Sequence, residues 1–122
     1  MAIRVLIVDD EPDIVDLLSE ILVSSGFEVT SALDAQGALE QIKAQIFDAA
    51  IVDFNLPDMN GVMLHRQIRQ MDEELAQKTL FTSGQMQTDQ ALDYYMVFGG
   101  GFLSKPFEVE QVLSALDKTI NG

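Results

Sequence analysis

Two hydrophobic patterns alternate along the chain. Short apolar runs rich in β-branched residues predict strands over residues 3–8, 27–32, 49–53, 78–83 and 101–104. Apolar residues spaced three and four positions apart predict helices after Glu11, after Asp34, over 61–71, over 87–98 and after Pro106. In the first helix these apolar positions are Ile14, Leu17, Leu18, Ile21 and Leu22.

Five successive strand-then-helix units predict an α/β fold with a parallel sheet covered by helices on both faces. Strands 1 and 3 are the most apolar and belong at the centre of the sheet. Because crossovers between parallel strands are right-handed, we expect the strand order 2-1-3-4-5. The first and last helices should then cover one face of the sheet, and the other three helices the opposite face.

Composition narrows the possible classes of protein. The 122 residues match one domain, residues 1–122, and 48% apolar residues indicate a globular chain. A net charge of −13 argues against direct nucleic-acid binding, which needs a basic surface. No cysteine is present, and no apolar run approaches the ~20 residues of a membrane span. We therefore expect a cytoplasmic protein that binds neither nucleic acid nor membrane.

Polar and charged residues follow the predicted strands directly. Strand 1 ends at Asp9 and Asp10, strand 3 at Asp53, strand 4 at Ser83 and strand 5 at Lys105. Ligands of open α/β sheets bind at the carboxyl ends of the strands. Three carboxylates gathered there repel one another, and a hard divalent cation such as Mg²⁺ relieves that repulsion. With a lysine and a hydroxyl beside them, the set suits phosphoryl transfer to a carboxylate acceptor.

The same segments resemble the receiver domain of two-component response regulators over essentially the whole chain. The matching pieces, in order, are Val-Asp-Asp-Glu at 8–11, Val-Asp-Phe-Asn-Leu-Pro-Asp-Met-Asn-Gly at 52–61, Thr-Ser-Gly at 82–84 and Phe-Leu-Ser-Lys-Pro-Phe at 102–107. Each piece alone is a weak motif, and the four in this order form a strong one. The resemblance implies a flavodoxin-like (βα)5 three-layer sandwich.

The resemblance also implies a phosphorylation site. Asp53 is similar to the family's phosphoacceptor, which takes its phosphoryl group from a sensor histidine kinase or a histidine phosphotransfer protein. Asp10 would ligate Mg²⁺ directly together with Asp53, Asp9 would do so mainly through water, and the backbone carbonyl of Asn55 would be a further ligand. Lys105 would bind the phosphoryl group, and the Lys105–Pro106 bond is expected to be cis.

Two further positions resemble the family's switch residues. Ser83 matches the hydroxyl that responds to phosphorylation, and Phe102 matches the aromatic side chain that changes rotamer with it. Phe102 could equally serve only in core packing. The implied function is a phosphoacceptor switch whose surface, formed by the fourth helix, fifth strand and last helix, controls a downstream effector or output domain. Such a domain is not an enzyme, beyond assisting its own phosphorylation and dephosphorylation.

Two other classes of protein share parts of this pattern. Phosphatases of the haloacid dehalogenase type also form an aspartyl phosphate, but they need a second aspartate two residues later, where this chain has Asn55. A flavin-binding module of similar topology needs a phosphate loop rich in Ser, Thr and Gly after strand 1, where this chain has Asp-Asp-Glu-Pro at 9–12. An anionic phosphate would be repelled there.

Two polar stretches outside the strand ends are predicted to have no special role. His65, early in the third helix, has no acidic residue nearby in sequence, and we expect it to be a solvated helix residue. The acidic stretch at 72–74 is expected to be a solvated loop.

Overall fold

The computed structural model describes residues 2–83 and 101–121. Its strands are β1 (Arg4–Val8), β2 (Glu28–Ala32), β3 (Ala49–Asp53), β4 (Thr79–Ser83) and β5 (Gly101–Ser104). Its helices in this part of the chain are α1 (Pro12–Ser24), α2 (Ala35–Ala44), α3 (Gly61–Met71), α4 (Glu73–Gln77) and α5 (Val109–Asn121). The helix predicted over 87–98 lies outside the described residues.

The five strands form one sheet in the order β2-β1-β3-β4-β5, and every pairing is parallel. The predicted strand order and α/β fold are therefore confirmed. The three inner strands β1, β3 and β4 consist of buried residues apart from Arg4, the half-buried first residue of β1. Burial on both faces explains why β1 and β3 are almost continuously apolar, whereas β4 also buries Thr79, Thr82 and Ser83.

Two hydrophobic cores lie on the two faces of the sheet. One packs α1 and α5 against the strands through Leu18, Leu22, Val112 and Leu116. The other packs α2, α3 and α4 against the opposite face, with side chains that include Leu39, Leu64, Ile68, Leu75 and Phe81. The prediction that the first and last helices share one face is thus confirmed.

Helix boundaries follow local sequence signals. Asp34 precedes α2, and its Oδ1 accepts a hydrogen bond of 2.7 Å from the N–H of Gly37. Pro12 occupies the first turn of α1, and Gly26 follows that helix with a φ of +94°, a conformation that glycine adopts without strain. The apolar face of α1 differs from the prediction at one position. Leu17 is exposed, and Val15 is buried in its place.

In the α3–α4 region, the predictions of a loop at 72–74 and of a solvated His65 are wrong, although Glu73 and Glu74 are exposed as expected. Residues 73 and 74 begin the short helix α4, and the side chain of Asp72 caps it by accepting a 3.0 Å hydrogen bond from the N–H of Leu75. His65 is not solvated but 1% exposed. Its Nε2 lies 2.8 Å from the carbonyl oxygen of Ala76, and its ring lies 5.2 Å from that of Phe81.

None of the helices in the described part of the chain has the length and apolar character needed to cross a membrane.

Candidate functional site

Three carboxylates meet at the carboxyl edge of the sheet. Asp9 follows β1 directly and Asp53 ends β3, the neighbouring strand, so the sheet itself brings them together. Asp9, Asp10 and Asp53 each offer an oxygen within 4.8 Å of the others. Asp9 and Asp53 are buried, whereas Asp10 is exposed. The group thus has two enclosed carboxylates and one that faces solvent.

Lys105 places its ammonium group between the buried carboxylates. It follows β5, and its backbone N–H donates a 2.8 Å hydrogen bond to the carbonyl of Ser83. Its Nζ lies 2.8 Å from Asp9 Oδ2, 3.0 Å from Asp53 Oδ2 and 3.6 Å from Glu11 Oε1. The Lys105–Pro106 bond is cis. Lys105 therefore supplies the counter-charge for both buried acids.

Burial and charge act against each other at Asp53. Desolvation raises the pKa of its carboxyl above the ordinary value, and the Asp9 charge adds to that effect. The N–H of Asn55, which donates a 3.0 Å hydrogen bond to Asp53 Oδ1, and the Lys105 ammonium both oppose the rise. At Lys105 burial alone would lower the pKa, but the two aspartates raise it overall. The lysine is consequently held in its charged form.

The donor set fits a hard divalent cation. All three groups are carboxylates, which are the ligands that Mg²⁺ prefers, and exposed Asp10 leaves room for the waters that this ion retains. Asp9 Oδ2 is buried with only the ion pair to Lys105 and no hydrogen bond of its own. A buried carboxylate oxygen in that condition has unused capacity to coordinate a cation.

The remaining candidate residues surround this group. Ser83 is the buried last residue of β4 and pairs in register with Ser104 of β5. Asn55 lies in the loop that follows β3, with its side chain exposed. Phe102 is half-buried, and its ring centroid lies 6.1 Å from that of Phe54, the residue directly after Asp53.

Sequence reasoning did not find two contributors near this edge. Glu11, part of the first motif, reaches the Lys105 ammonium from the start of α1. Asp58, in the loop between β3 and α3, accepts hydrogen bonds from backbone N–H groups of α2. A sequence signal for Glu11 existed in the acidic run at 9–11. The contact of Asp58 depends on a distant segment and has no local signal.

The comparisons with known proteins assign this arrangement to a family. The family model described as "Response regulator receiver domain" matches residues 5–117. The chain belongs to this receiver domain family. Receiver domains act as signalling switches in two-component systems, where kinases or phosphotransfer proteins and output domains are their partners. They bind Mg²⁺ at an acidic cluster, and the corresponding cluster here is Asp9, Asp10 and Asp53.

Individual receiver proteins resemble the chain over nearly its full length. It is 33% identical to the chemotaxis protein CheY of Bacillus subtilis (strain 168), covering 99% of this chain and 100% of that protein. The crystallised chemotaxis protein CheY4 of Vibrio cholerae (low-pH crystals) is 28% identical, with a TM-score of 0.88 and coverage of 98% and 99%. These alignments extend across the receiver fold from end to end.

Other relatives are larger. The uncharacterized transcriptional regulatory protein YrkP of Bacillus subtilis (strain 168) is 31% identical over 92% of this chain, which spans only 47% of that regulator. The chain therefore spans about half the length of that relative.

Proposed function

We propose that this receiver domain is a phosphoacceptor switch that takes a phosphoryl group onto Asp53 in a Mg²⁺-dependent reaction. The observation that carries the proposal is the position of the Asp53 carboxylate. It ends the central strand β3, and its oxygens lie within reach of both the Lys105 ammonium and the Asp9–Asp10 carboxylates. Asp9 shares the lysine and the carboxylate neighbours, but it follows β1, and Asp53 alone of the three belongs to the central strand β3.

The chemistry assigned to Asp53 is a nucleophilic displacement. A carboxylate oxygen of Asp53 attacks the phosphorus of a phosphohistidine, an O–P bond forms and the N–P bond breaks. The departing histidine nitrogen keeps the electron pair and takes up a proton. Mg²⁺, held by Asp10, Asp53, the Asn55 carbonyl and, through water, Asp9, would supply neutralising charge to the phosphoryl oxygens.

Lys105 changes partner during this reaction. Before transfer its ammonium pairs with Asp9 and Asp53. Once Asp53 carries a phosphoryl group, the new anionic oxygens attract the same ammonium, since a doubly charged phosphate is a stronger partner than a carboxylate. Lys105 therefore binds the transferred phosphoryl group at the position where its ammonium paired with the two carboxylates before the reaction.

The response to phosphorylation is assigned to Ser83 and Phe102. The Ser83 hydroxyl would donate a hydrogen bond to a phosphoryl oxygen, which draws the end of β4 toward Asp53. Phe102 would repack as Ser83 moves, and its ring already lies against that of Phe54. Repacking there alters the surface of β5 and α5, and this surface would bind the effector or output domain.

The partners proposed for the chain follow from this chemistry. A sensor histidine kinase or a histidine phosphotransfer protein would donate the phosphoryl group, and the cytoplasm is the proposed location of the exchange. The domain is proposed to assist its own phosphorylation and dephosphorylation without acting on a separate substrate.

Phosphorylation from a small-molecule donor tests the proposal directly. The wild type is incubated with acetyl phosphate and Mg²⁺, quenched in acid and measured by intact mass. We expect the mass gain of one phosphoryl group in the wild type and none in Asp53→Asn, which keeps the side-chain shape but lacks the nucleophilic oxygen. Borohydride reduction of the acyl phosphate, followed by peptide mass, then identifies the modified residue.

A matched control replaces an aspartate outside the site. Asp16 is exposed on α1, and Asp16→Asn removes the same charge without touching the strand ends. It should be labelled as the wild type is. Labelling that persists in Asp53→Asn, or a wild type that gains no mass with Mg²⁺ present, would contradict the proposal.

A further inference from the structure

A carboxylate in the loop after β3 binds the start of a helix that is distant in sequence. Asp58 lies in the loop at 54–60, between β3 and α3. Its Oδ1 accepts a 2.9 Å hydrogen bond from the N–H of Ala35, and its Oδ2 accepts one of 2.9 Å from the N–H of Gln36. Both donors belong to the first turn of α2. One side chain thus joins two segments that lie more than twenty residues apart.

Two aspartates accept hydrogen bonds from all four N–H groups of the first turn of α2. Helices begin with N–H groups that have no partner inside the helix. Asp34 caps Gly37 with its side chain and Ala38 with its carbonyl, whereas Asp58 takes the two N–H groups before them. These two bonds, first that from Ala35 and then that from Gln36, lower the pKa of the Asp58 carboxyl. The exposed side chain therefore carries a negative charge at neutral pH, which the helix dipole also favours.

The loop that Asp58 anchors also carries part of the proposed metal site. It begins directly after Asp53, and the N–H of Asn55 binds Asp53 Oδ1. Asn55 forms a β-bridge with Asn60, and the N–H of Gly61 donates a 2.8 Å hydrogen bond to the carbonyl of Phe54. These contacts close the loop on itself but do not connect it to the β1 side of the site.

The connection to the β1 side runs through α2. The N–H of Asp9 donates a 3.1 Å hydrogen bond to the carbonyl of Ala32, the last residue of β2, which lies three residues before Ala35. Asp58 therefore links the loop of Asp53 and Asn55 to the same β2–α2 connection that holds Asp9. The proposed Mg²⁺ ligands that follow β1 are linked in two ways to those that follow β3. The two strands pair in the sheet, and Asp58 hydrogen-bonds the loop after β3 to α2.

We propose that Asp58 is a positioning residue that holds the β3–α3 loop, and with it the Asn55 carbonyl, in the arrangement that binds Mg²⁺. This inference rests on the proposed function, because it concerns the same cation site. Without Asp58 the loop loses both hydrogen bonds to α2 and becomes less ordered. Part of the free energy of Mg²⁺ binding is then used to order the loop. The cost appears as weaker Mg²⁺ affinity, since residues that orient metal ligands control affinity without touching the metal.

The test compares two caps of one helix. Asp58→Ala removes the link between the loop and α2, and Asp34→Ala removes a cap from the same helix and the same charge but leaves the loop attached. Mg²⁺ is titrated into each protein without any phosphodonor and followed by amide chemical shifts or calorimetry. We expect Asp58→Ala to bind Mg²⁺ about tenfold more weakly, in the range of lost outer-shell partners. Asp34→Ala should keep the wild-type affinity.

A third variant and a second measurement keep the inference open to failure. Asp58→Asn can accept only one of the two N–H bonds and should fall between the wild type and Asp58→Ala. Hydrogen exchange at the Ala35 and Gln36 amides, measured in folded protein, should speed up in Asp58→Ala. Equal Mg²⁺ affinity in wild type and Asp58→Ala, or an equal loss in Asp58→Ala and Asp34→Ala, would overturn the inference.

The outcomes separate this inference from the function on which it rests. A wild type that binds Mg²⁺ but is never phosphorylated would end the phosphoacceptor proposal, while the Asp58 comparison would still decide the positioning role. A phosphorylated wild type whose Mg²⁺ affinity is unaffected by Asp58→Ala would retain the function and reject the role of Asp58. A wild type that binds no Mg²⁺ would reject the positioning role outright.

Discussion

At the scale of single residues, the site depends on charges that would be unfavourable alone. A buried carboxylate without a partner is costly, and the structure encloses two of them, Asp9 and Asp53, beside one lysine. The Lys105 ammonium makes their burial tolerable, and the exposed carboxylate of Asp10 adds a third negative charge at the same edge. The excess of negative over positive charge is what favours a cation there.

His65 is a buried titratable residue outside this site. Burial lowers the pKa of its imidazole, and the positive charge of Arg69 lowers it further, although the bond to the Ala76 carbonyl opposes the change. Because a carbonyl only accepts hydrogen bonds, Nε2 must carry the proton of that bond. The unfolded chain, with an ordinary histidine pKa of about 6.5, therefore binds a proton at a pH where the folded protein does not.

The expected consequence is a loss of stability as pH falls. The contribution of His65 is complete above a pH of about 6.5 and decreases as pH falls from there toward the lowered folded-state pKa. His65→Gln can still donate to Ala76 but does not titrate. Urea unfolding of both proteins between pH 7 and pH 5 should show a steeper fall for the wild type, by at most about 1.4 kcal/mol per pH unit. Parallel pH profiles would show that His65 is not held neutral.

At the scale of elements, close contacts between neighbouring strands, helices and loops limit the size of the residue at certain positions. Gly101 begins β5 where α5 crosses it. A Cβ at this position would lie 2.6 Å from Thr119 Oγ1 and 3.0 Å from Leu80 Cδ1. The first distance is shorter than atoms tolerate, so any larger residue must displace the Thr119 side chain or move α5 away from the sheet. Gly61 serves α3 in the same way, since a Cβ there would lie 2.8 Å from Phe54 Cα.

The contact between β5 and α5 can be tested by a double-mutant cycle. Gly101→Ala should lower the free energy of unfolding by about 1–3 kcal/mol, the usual cost of overpacking. Thr119→Ala removes Oγ1 but keeps a Cβ that lies at an ordinary distance of 4.0 Å. Gly101→Ala should therefore cost less in the Thr119→Ala background. If urea unfolding shows the same loss in free energy of unfolding in both backgrounds, Thr119 Oγ1 is not the source of the strain.

At the scale of the whole molecule, the acidic charge links cation binding to stability. The net charge of −13 produces self-repulsion in the compact state, and the strand-end carboxylates concentrate part of it. A cation that binds the folded chain shifts the unfolding equilibrium by mass action. Stability should therefore rise with Mg²⁺ concentration beyond the effect of ionic strength alone.

Thermal unfolding in Mg²⁺ measures this linkage. At a free Mg²⁺ concentration about 100 times its Kd, the folded state should gain about 2.7 kcal/mol. Asp10→Asn removes a proposed ligand and should reduce the gain, whereas Asp13→Asn, an exposed residue of α1, should leave it unchanged. If NaCl at the same ionic strength raises the Tm as much as MgCl₂, the stabilisation is screening and not site binding.

Much of the fold could be predicted because its determinants are local. Each apolar strand and amphipathic helix can be recognised from a segment of about five to twelve residues. The connection rules for parallel sheets then allow only a few strand orders. The sharp change from apolar run to carboxylate at Asp9 and Asp53 marks strand ends in the same local way. Since parallel strands bring their carboxyl ends to one edge, these residues and Lys105 could be assigned to one site from sequence alone.

Tertiary packing decided what local pattern leaves open. On α1 both Val15 and Leu17 fit a helical apolar stripe, and the packing of the helix against the sheet buries Val15 and leaves Leu17 exposed. His65 lies on a polar stretch of sequence, but the short helix α4 covers it and supplies a carbonyl. The local sequence around Asp58 indicates only a turn residue. In the fold α2 lies beside this loop, and Asp58 accepts hydrogen bonds from it. Burial and hydrogen-bond partners depend on segments far apart in the chain, so only the assembled structure determines them.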